Sequence, residues 1–115
     1  MAIDEQMRKG TTTVILLSLL AELDRPMYGY EIIKELEKRS RGGFRFKEGL
    51  VYPRLHELER QGLLKSEWQR EEGSRERKFY TVTEKGRRHL SQELARWQAF
   101  TTEVDRLLGL EGSTS

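Results

Sequence analysis

Two groups of donor side chains stand in the middle of this 115-residue chain. The first is Arg45, Lys47, Tyr52, Arg54 and His56, and the second is Arg75, Arg77 and Lys78. Guanidinium and ammonium groups neutralise phosphate oxygens, and tyrosine hydroxyls commonly bond them. Arginine can also pair in bidentate fashion with a guanine edge. These residue types point to recognition of a polyanion and not to bond breaking. No catalytic constellation is legible. Cysteine is absent, which excludes disulfides and thiolate metal sites. His56 and His89 lie far apart with no His-Glu-x-x-His pattern. Ser18, Ser40, Ser66 and Ser74 lack a Gly-x-Ser-x-Gly elbow. The carboxylate pairs Glu57 with Glu59 and Glu71 with Glu72 read as solvated faces, and Gly42-Gly43 has no phosphate-loop lysine after it. No enzyme activity, cofactor or metal is expected.

The charge is distributed in the same sense. The formal net charge is +2, but residues 39–60 carry six bases and three acids, and residues 70–88 carry seven bases and four acids. Those two stretches total +6 and the remainder totals −4. A basic middle suits a surface that meets phosphate. Residues 14–23 form the most apolar run and are too short to span a bilayer, so they read as a buried helix. With no legible secretory signal, a cytoplasmic location and no membrane partner are expected.

The elements that must carry the donors follow from periodicity. Thr11, Thr12 and Thr13 can cap a first helix over 11–23, apolar almost all round. The Asp24-Arg25-Pro26 turn stops it. Ile3 and Met7, four apart, could add one earlier turn. A second helix is expected over 28–39, with Ile32, Ile33 and Leu36 inward, ended by the glycines of "SRGG". A third helix over 48–61 places Val51, Leu55 and Leu58 on a buried stripe and Tyr52, Arg54 and His56 outward. Pro53 falls in its second turn and leaves the Gly49 carbonyl without an intrahelical donor. Gly62 is the expected left-handed cap, with Leu63 making the accompanying apolar contact.

The period then changes to two. "LLKSEWQR" and "RKFYTVT" read as a two-stranded hairpin across the polar turn "EEGSRE", with Trp68 packed beneath it. Thr83 is the expected N-cap of a long last helix over 84–110. In it Leu90, Leu94, Trp97, Thr101, Val104 and Leu108 alternate steps of four and three, with Phe100 beside them. That alternation is the signature of helix-on-helix packing. Residues 111–115 are expected to be a disordered tail. Three helices followed by a hairpin is the order of a winged helix-turn-helix, in which the third helix enters the major groove and the wing touches the backbone. The expected fold class is therefore α+β, mostly α, with an N-terminal winged-helix domain over 1–83 and a C-terminal dimerisation helix over 84–110.

The segments "MYGYEIIKELEKRS", "GLVYPRLHELERQGLLKSEW" and "RKFYTVTEKGRRHL" in this order resemble the PadR family of bacterial transcriptional regulators. The likeness spans residues 11–90 and also accommodates the last helix. Where the family usually has Leu-Tyr-Pro, this chain has Val51-Tyr52-Pro53. The resemblance implies a homodimeric repressor that binds an inverted-repeat operator in double-stranded DNA, built through its first and last helices. The single short C-terminal helix is similar to the smaller subgroup. Tyr52 would contact a phosphate, and Arg45, Lys47, Arg54, Arg75, Arg77 and Lys78 match places where the family commonly has basic or polar contacts. Tyr30, at the head of the second helix, reads equally well as a core aromatic, and Gly29 as a close-packing residue. Some members bind flat aromatic effectors between subunits. A pair of Trp97 rings could sandwich such a molecule, with Thr101 as the polar group, and the plainer reading of Trp97 as an interface anchor stands beside this. Two other functions fit the same elements: a winged-helix module that binds protein, and a small-molecule carrier without DNA affinity.

Overall fold

The computed structural model describes residues 5–41, 43, 45–70, 73 and 75–110, with residues 5–9 as backbone only. The elements in chain order are α1 (Glu5–Leu23), β1 (Met27–Tyr28), α2 (Gly29–Ser40), α3 (Glu48–Arg60), β2 (Leu64–Arg70), β3 (Glu76–Val82) and α4 (Glu84–Leu108). This is a winged helix-turn-helix with a long C-terminal helix. Ile3, most of the wing tip (Glu71, Glu72, Ser74), Gly42 and the tail at 111–115 lie outside the described residues.

The core forms where the periodic stripes meet. Leu16, Leu17 and Leu20 of α1 pack with Ile32, Ile33 and Leu36 of α2 and with Val51, Leu55 and Leu58 of α3, all buried. Leu63, Leu64 and Tyr80 at the root of the wing and Leu90 of α4 close the cluster. The third helix ends as its sequence predicts. The Leu63 amide donates to the Leu58 carbonyl and the Gly62 amide to Glu59, with Gly62 at φ +79°. This is a full Schellman cap. Thr83 caps α4, its hydroxyl accepting from the Gly86 amide at 2.9 Å.

Four expectations are corrected. The first helix starts at Glu5, so Thr11, Thr12 and Thr13 lie inside it and cap nothing. Good helix formers precede them (Glu5, Gln6, Met7, Arg8, Lys9), and propagation past a few threonines costs little. A third strand, β1, pairs with β3 in register Met27↔Tyr80 and Tyr28↔Phe79, giving the antiparallel order β1-β3-β2. Two residues are too few to show a period of two, so the strand leaves no trace in the pattern. It also moves the start of α2 from Tyr28 to Gly29. Finally, α4 stops at Leu108, where Gly109 turns left-handed (φ +75°) and the Leu110 amide reaches the Asp105 carbonyl.

Candidate nucleic-acid interface

The N-terminus of α2, the length of α3 and the inner face of the wing enclose an open cleft of about 540 Å³. Of the expected donors, it gathers Tyr52 and His56 from α3 with Arg75, Arg77 and Lys78 from the wing. Arg45 and Lys47 are exposed at the head of α3, where Lys47 is the N-cap, and do not line the cleft. Arg54 does not line it either. Successive helix residues turn about 100°, so Arg54 lies roughly 200° round from Tyr52 and from His56. It is half-buried on the far flank, close enough to Glu57 to help hold that carboxyl below the usual range, behind the larger effect of Arg60. The outermost face of α3 is instead Gly49, Pro53, His56 and Arg60, all exposed.

Tyr52 packs as much as it points. Its ring lies over the first residue of α2, where a Cβ on Gly29 would come within 2.0 Å of Tyr52 Cε1. Burial, and then the Glu48 charge, raise its phenol above the ordinary tyrosine value. Gly29 is thus a close-packing residue, as its place before the tyrosine suggested. Tyr80, buried beside it at the wing root, is raised chiefly by burial as well.

The wing strands pair Ser66↔Tyr80, Trp68↔Lys78 and Arg70↔Glu76, so these six side chains share the face turned to α3. On that face Glu59 of α3 contacts both strands. One carboxylate oxygen pairs with Lys78 Nζ at 2.8 Å and the other accepts from the Ser66 hydroxyl. Lys78 and then Ser66 hold the Glu59 carboxyl below the usual carboxylate range, and Glu59 raises Lys78 above the ordinary amine value. The Lys78 ammonium is therefore turned back to α3 and not outward. On the opposite face Arg77 stacks on the Tyr28 ring, its Cζ 4.4 Å from the centroid, and Tyr28 meets Phe79 edge-on.

Two aromatics depart from expectation. Trp68 is 63% exposed and lines the cleft where packing under the wing was expected. It sits far enough along β2 to pass beyond the helices that would cover it. Tyr30 is 50% exposed, also on the cleft, with Lys34 Nζ 5.2 Å from its ring centroid. Both were visible as aromatics in a basic region, but only the wing register and the start of α2 turn them outward.

The long-helix set divides. Leu90 is in the chain's own core, and Thr101 and Val104 are half-buried on a helix that packs against α1. Leu94, Trp97, Phe100 and Leu108 are exposed, as is Leu107, with Trp97 and Phe100 rings 6.4 Å apart.

Residues 16–92 match the transcriptional regulator PadR-like family. A transcriptional regulator of Mycobacterium tuberculosis is 38% identical over 81 residues, covering 70% of this chain and 72% of that one. A PadR-family regulator from Eggerthella lenta has the same fold at TM-score 0.78 and 38% identity, over 90% of this chain and 86% of its own. A transcriptional regulator from Clostridium thermocellum superposes at TM-score 0.78 and 27% identity, over 91% and 97%. Among the described residues no helix is long and apolar enough to cross a membrane. By sequence motif, by fold and by these relatives, the chain belongs to the PadR-like family of transcriptional regulators.

Proposed function

We propose that the protein is a homodimeric, sequence-specific DNA-binding repressor. The observation that carries this reading is the cleft itself, which sets an exposed helix face beside a wing bearing Arg75 and Arg77. The outer face of α3 enters the major groove, so that His56 and Arg60 meet base edges or the phosphate rim. Arg45, Lys47 and Arg54 serve phosphates on either side of the helix. The Tyr52 hydroxyl and the rings of Tyr30 and Trp68 line the channel for one sugar-phosphate strand, and Arg75 and Arg77 reach that strand from the wing.

The dimer forms through α4. Leu94, Trp97, Phe100, Leu107 and Leu108 make an apolar stripe on an otherwise charged helix, and such a stripe is costly to leave in water. An apolar groove of about 310 Å³ between α1 and α2, lined by Val14, Ile15, Leu19, Leu36 and Phe46, offers matching surface for a second copy. Two third helices held about one helical turn apart, roughly 34 Å, would read an inverted repeat. A flat aromatic effector between paired Trp97 rings would change the angle between the α4 helices and release the DNA. The winged-helix protein-binding module and the DNA-free carrier remain the competing readings, and no enzymatic role is assigned.

Fluorescence anisotropy of labelled duplexes from upstream of the protein's own gene, at two salt concentrations and against scrambled DNA, tests this. Tight, salt-sensitive and sequence-dependent binding is expected. Replacing Arg75 and Arg77 by Ala should lower the salt slope by roughly two. Binding unchanged by that double replacement would favour the protein-binding module. Trp97 quenching by an aromatic ligand in a protein without DNA affinity would favour the carrier.

A further inference from the structure

A wing is a two-stranded ribbon that extends beyond the core, and two strands alone are marginal in water. Its angle to the helix in the groove must nevertheless be fixed if the two are to straddle one duplex. β1 braces only the root, pairing at Phe79 and Tyr80. Farther out, Glu59 is the printed side-chain link between α3 and the wing strands, and it divides its oxygens between them, Ser66 on β2 and Lys78 on β3. Lys78 is also 5.5 Å from the centroid of the Tyr80 ring, which leaves its amine enclosed by α3 and its own strand. Neither Glu59 nor Lys78 is more than about a third exposed at the side chain.

We infer that Glu59 is a positioning residue for DNA recognition: it struts the wing against α3 and holds the Lys78 ammonium away from the phosphate backbone. Lys78 then acts through Glu59 and contributes no counterion release of its own. The wing's phosphate contacts fall to Arg75 and Arg77. A mobile wing with a freed ammonium would bind DNA of any sequence with one more phosphate contact, while losing the fixed spacing that sequence discrimination needs. The inference rests on the DNA-binding reading for its consequence and on the free protein for its geometry.

The test has an arm for each. In the free protein, amide hydrogen exchange across β2 and β3 is measured for wild type, Glu59→Ala and Glu59→Gln. Alanine should speed exchange in the outer half of the wing, and glutamine, which can still bond both partners, should largely restore protection. In the second arm, affinity for a duplex selected from a randomised pool is compared with that for scrambled DNA across salt concentrations. Glu59→Ala should steepen the salt slope on scrambled DNA by about one. It should reduce the selected-to-scrambled ratio by about three- to tenfold, the effect of one lost polar link. Lys78→Met is a second variant that spares the carboxylate, and it should leave the slope unchanged. A slope lowered by about one in Lys78→Met, or wild-type exchange in Glu59→Ala, would overturn the inference. A wild type that binds neither duplex would instead count against the repressor reading, with the exchange arm still deciding the strut.

Discussion

At the scale of single residues, the motif residues earn their places by contact more than by chemistry. Gly29 is required by the Tyr52 ring lying on it. A methyl group there would stand 2.0 Å from Tyr52 Cε1 and 3.0 Å from Cζ, so the ring must move. Alanine's helix preference returns at most about 1 kcal/mol. Gly29→Ala should therefore destabilise the fold by about 1–3 kcal/mol, read from urea midpoints. Adding Tyr52→Leu should recover part of that loss, and strict additivity of the two would show that the contact is not the cause. Glu59 gives a pH signature. Lys78 and Ser66 lower its carboxyl in the folded state. A lowered carboxylate contributes stability in full above its unfolded value, about 4.3, and loses it as pH falls through the lower folded value. The stability difference between wild type and Glu59→Gln should be constant above about pH 5 and close below about pH 4. A difference that grew with acidification would reverse this assignment.

At the scale of elements, the joint between α3 and α4 is built for rigidity. The turn after α3 offers its carbonyls to the start of α4: Thr83 Oγ1 donates to Gly62 at 2.7 Å and Lys85 Nζ to Gln61 at 2.9 Å. The Thr83 amide donates to Leu63 at 3.1 Å. Arg87 reaches Asp24 at the end of α1 at 2.6 Å. Gly86 lets the backbones meet, since a Cβ there would be 2.1 Å from the Leu63 carbonyl oxygen. That neighbour is backbone and cannot swing aside as a ring can. Gly86→Ala should cost about 2–3 kcal/mol. It should also weaken DNA binding by tilting α4 away from α3, as read by thermal melting and anisotropy together. Full stability with normal DNA affinity would mean the joint gives easily and transmits nothing. Thr83 as a cap and Gly62 as a left-handed turn were legible in the sequence because each is a local decision of a few residues. β1 was not, because its pairing with β3 joins segments about fifty residues apart.

At the scale of the whole molecule, the unpaired surface defines what the protein still lacks. Trp97 and Phe100 are half or more exposed, and Leu107 is 84% exposed. Phe100→Glu should leave the protomer folded, since the side chain is outside its core, and shift a dimer toward monomer in sedimentation. Affinity for an inverted repeat should fall roughly tenfold or more, because each half-site then binds alone. An unchanged dimer would move the interface off this stripe. The 3–4 spacing of α4 announced a helix-packing seam, yet it could not say which turns would pack within the protomer and which would remain outside. The packing of α1 against α4 makes that division.

The amino-acid sequence by itself determined the winged-helix order, the inward stripes of the three core helices, their caps and the basic middle of the chain. These follow from periodicity and from local backbone chemistry, which need only neighbours within a turn or two. Tertiary structure decided which donors share a cleft. It sent Arg54 to the far flank, turned Trp68 and Tyr30 outward, laid Tyr52 on Gly29 and bent Lys78 back to Glu59. Those outcomes depend on strand register and on where one helix meets another. Such relations join residues distant in the chain, and no local pattern encodes them.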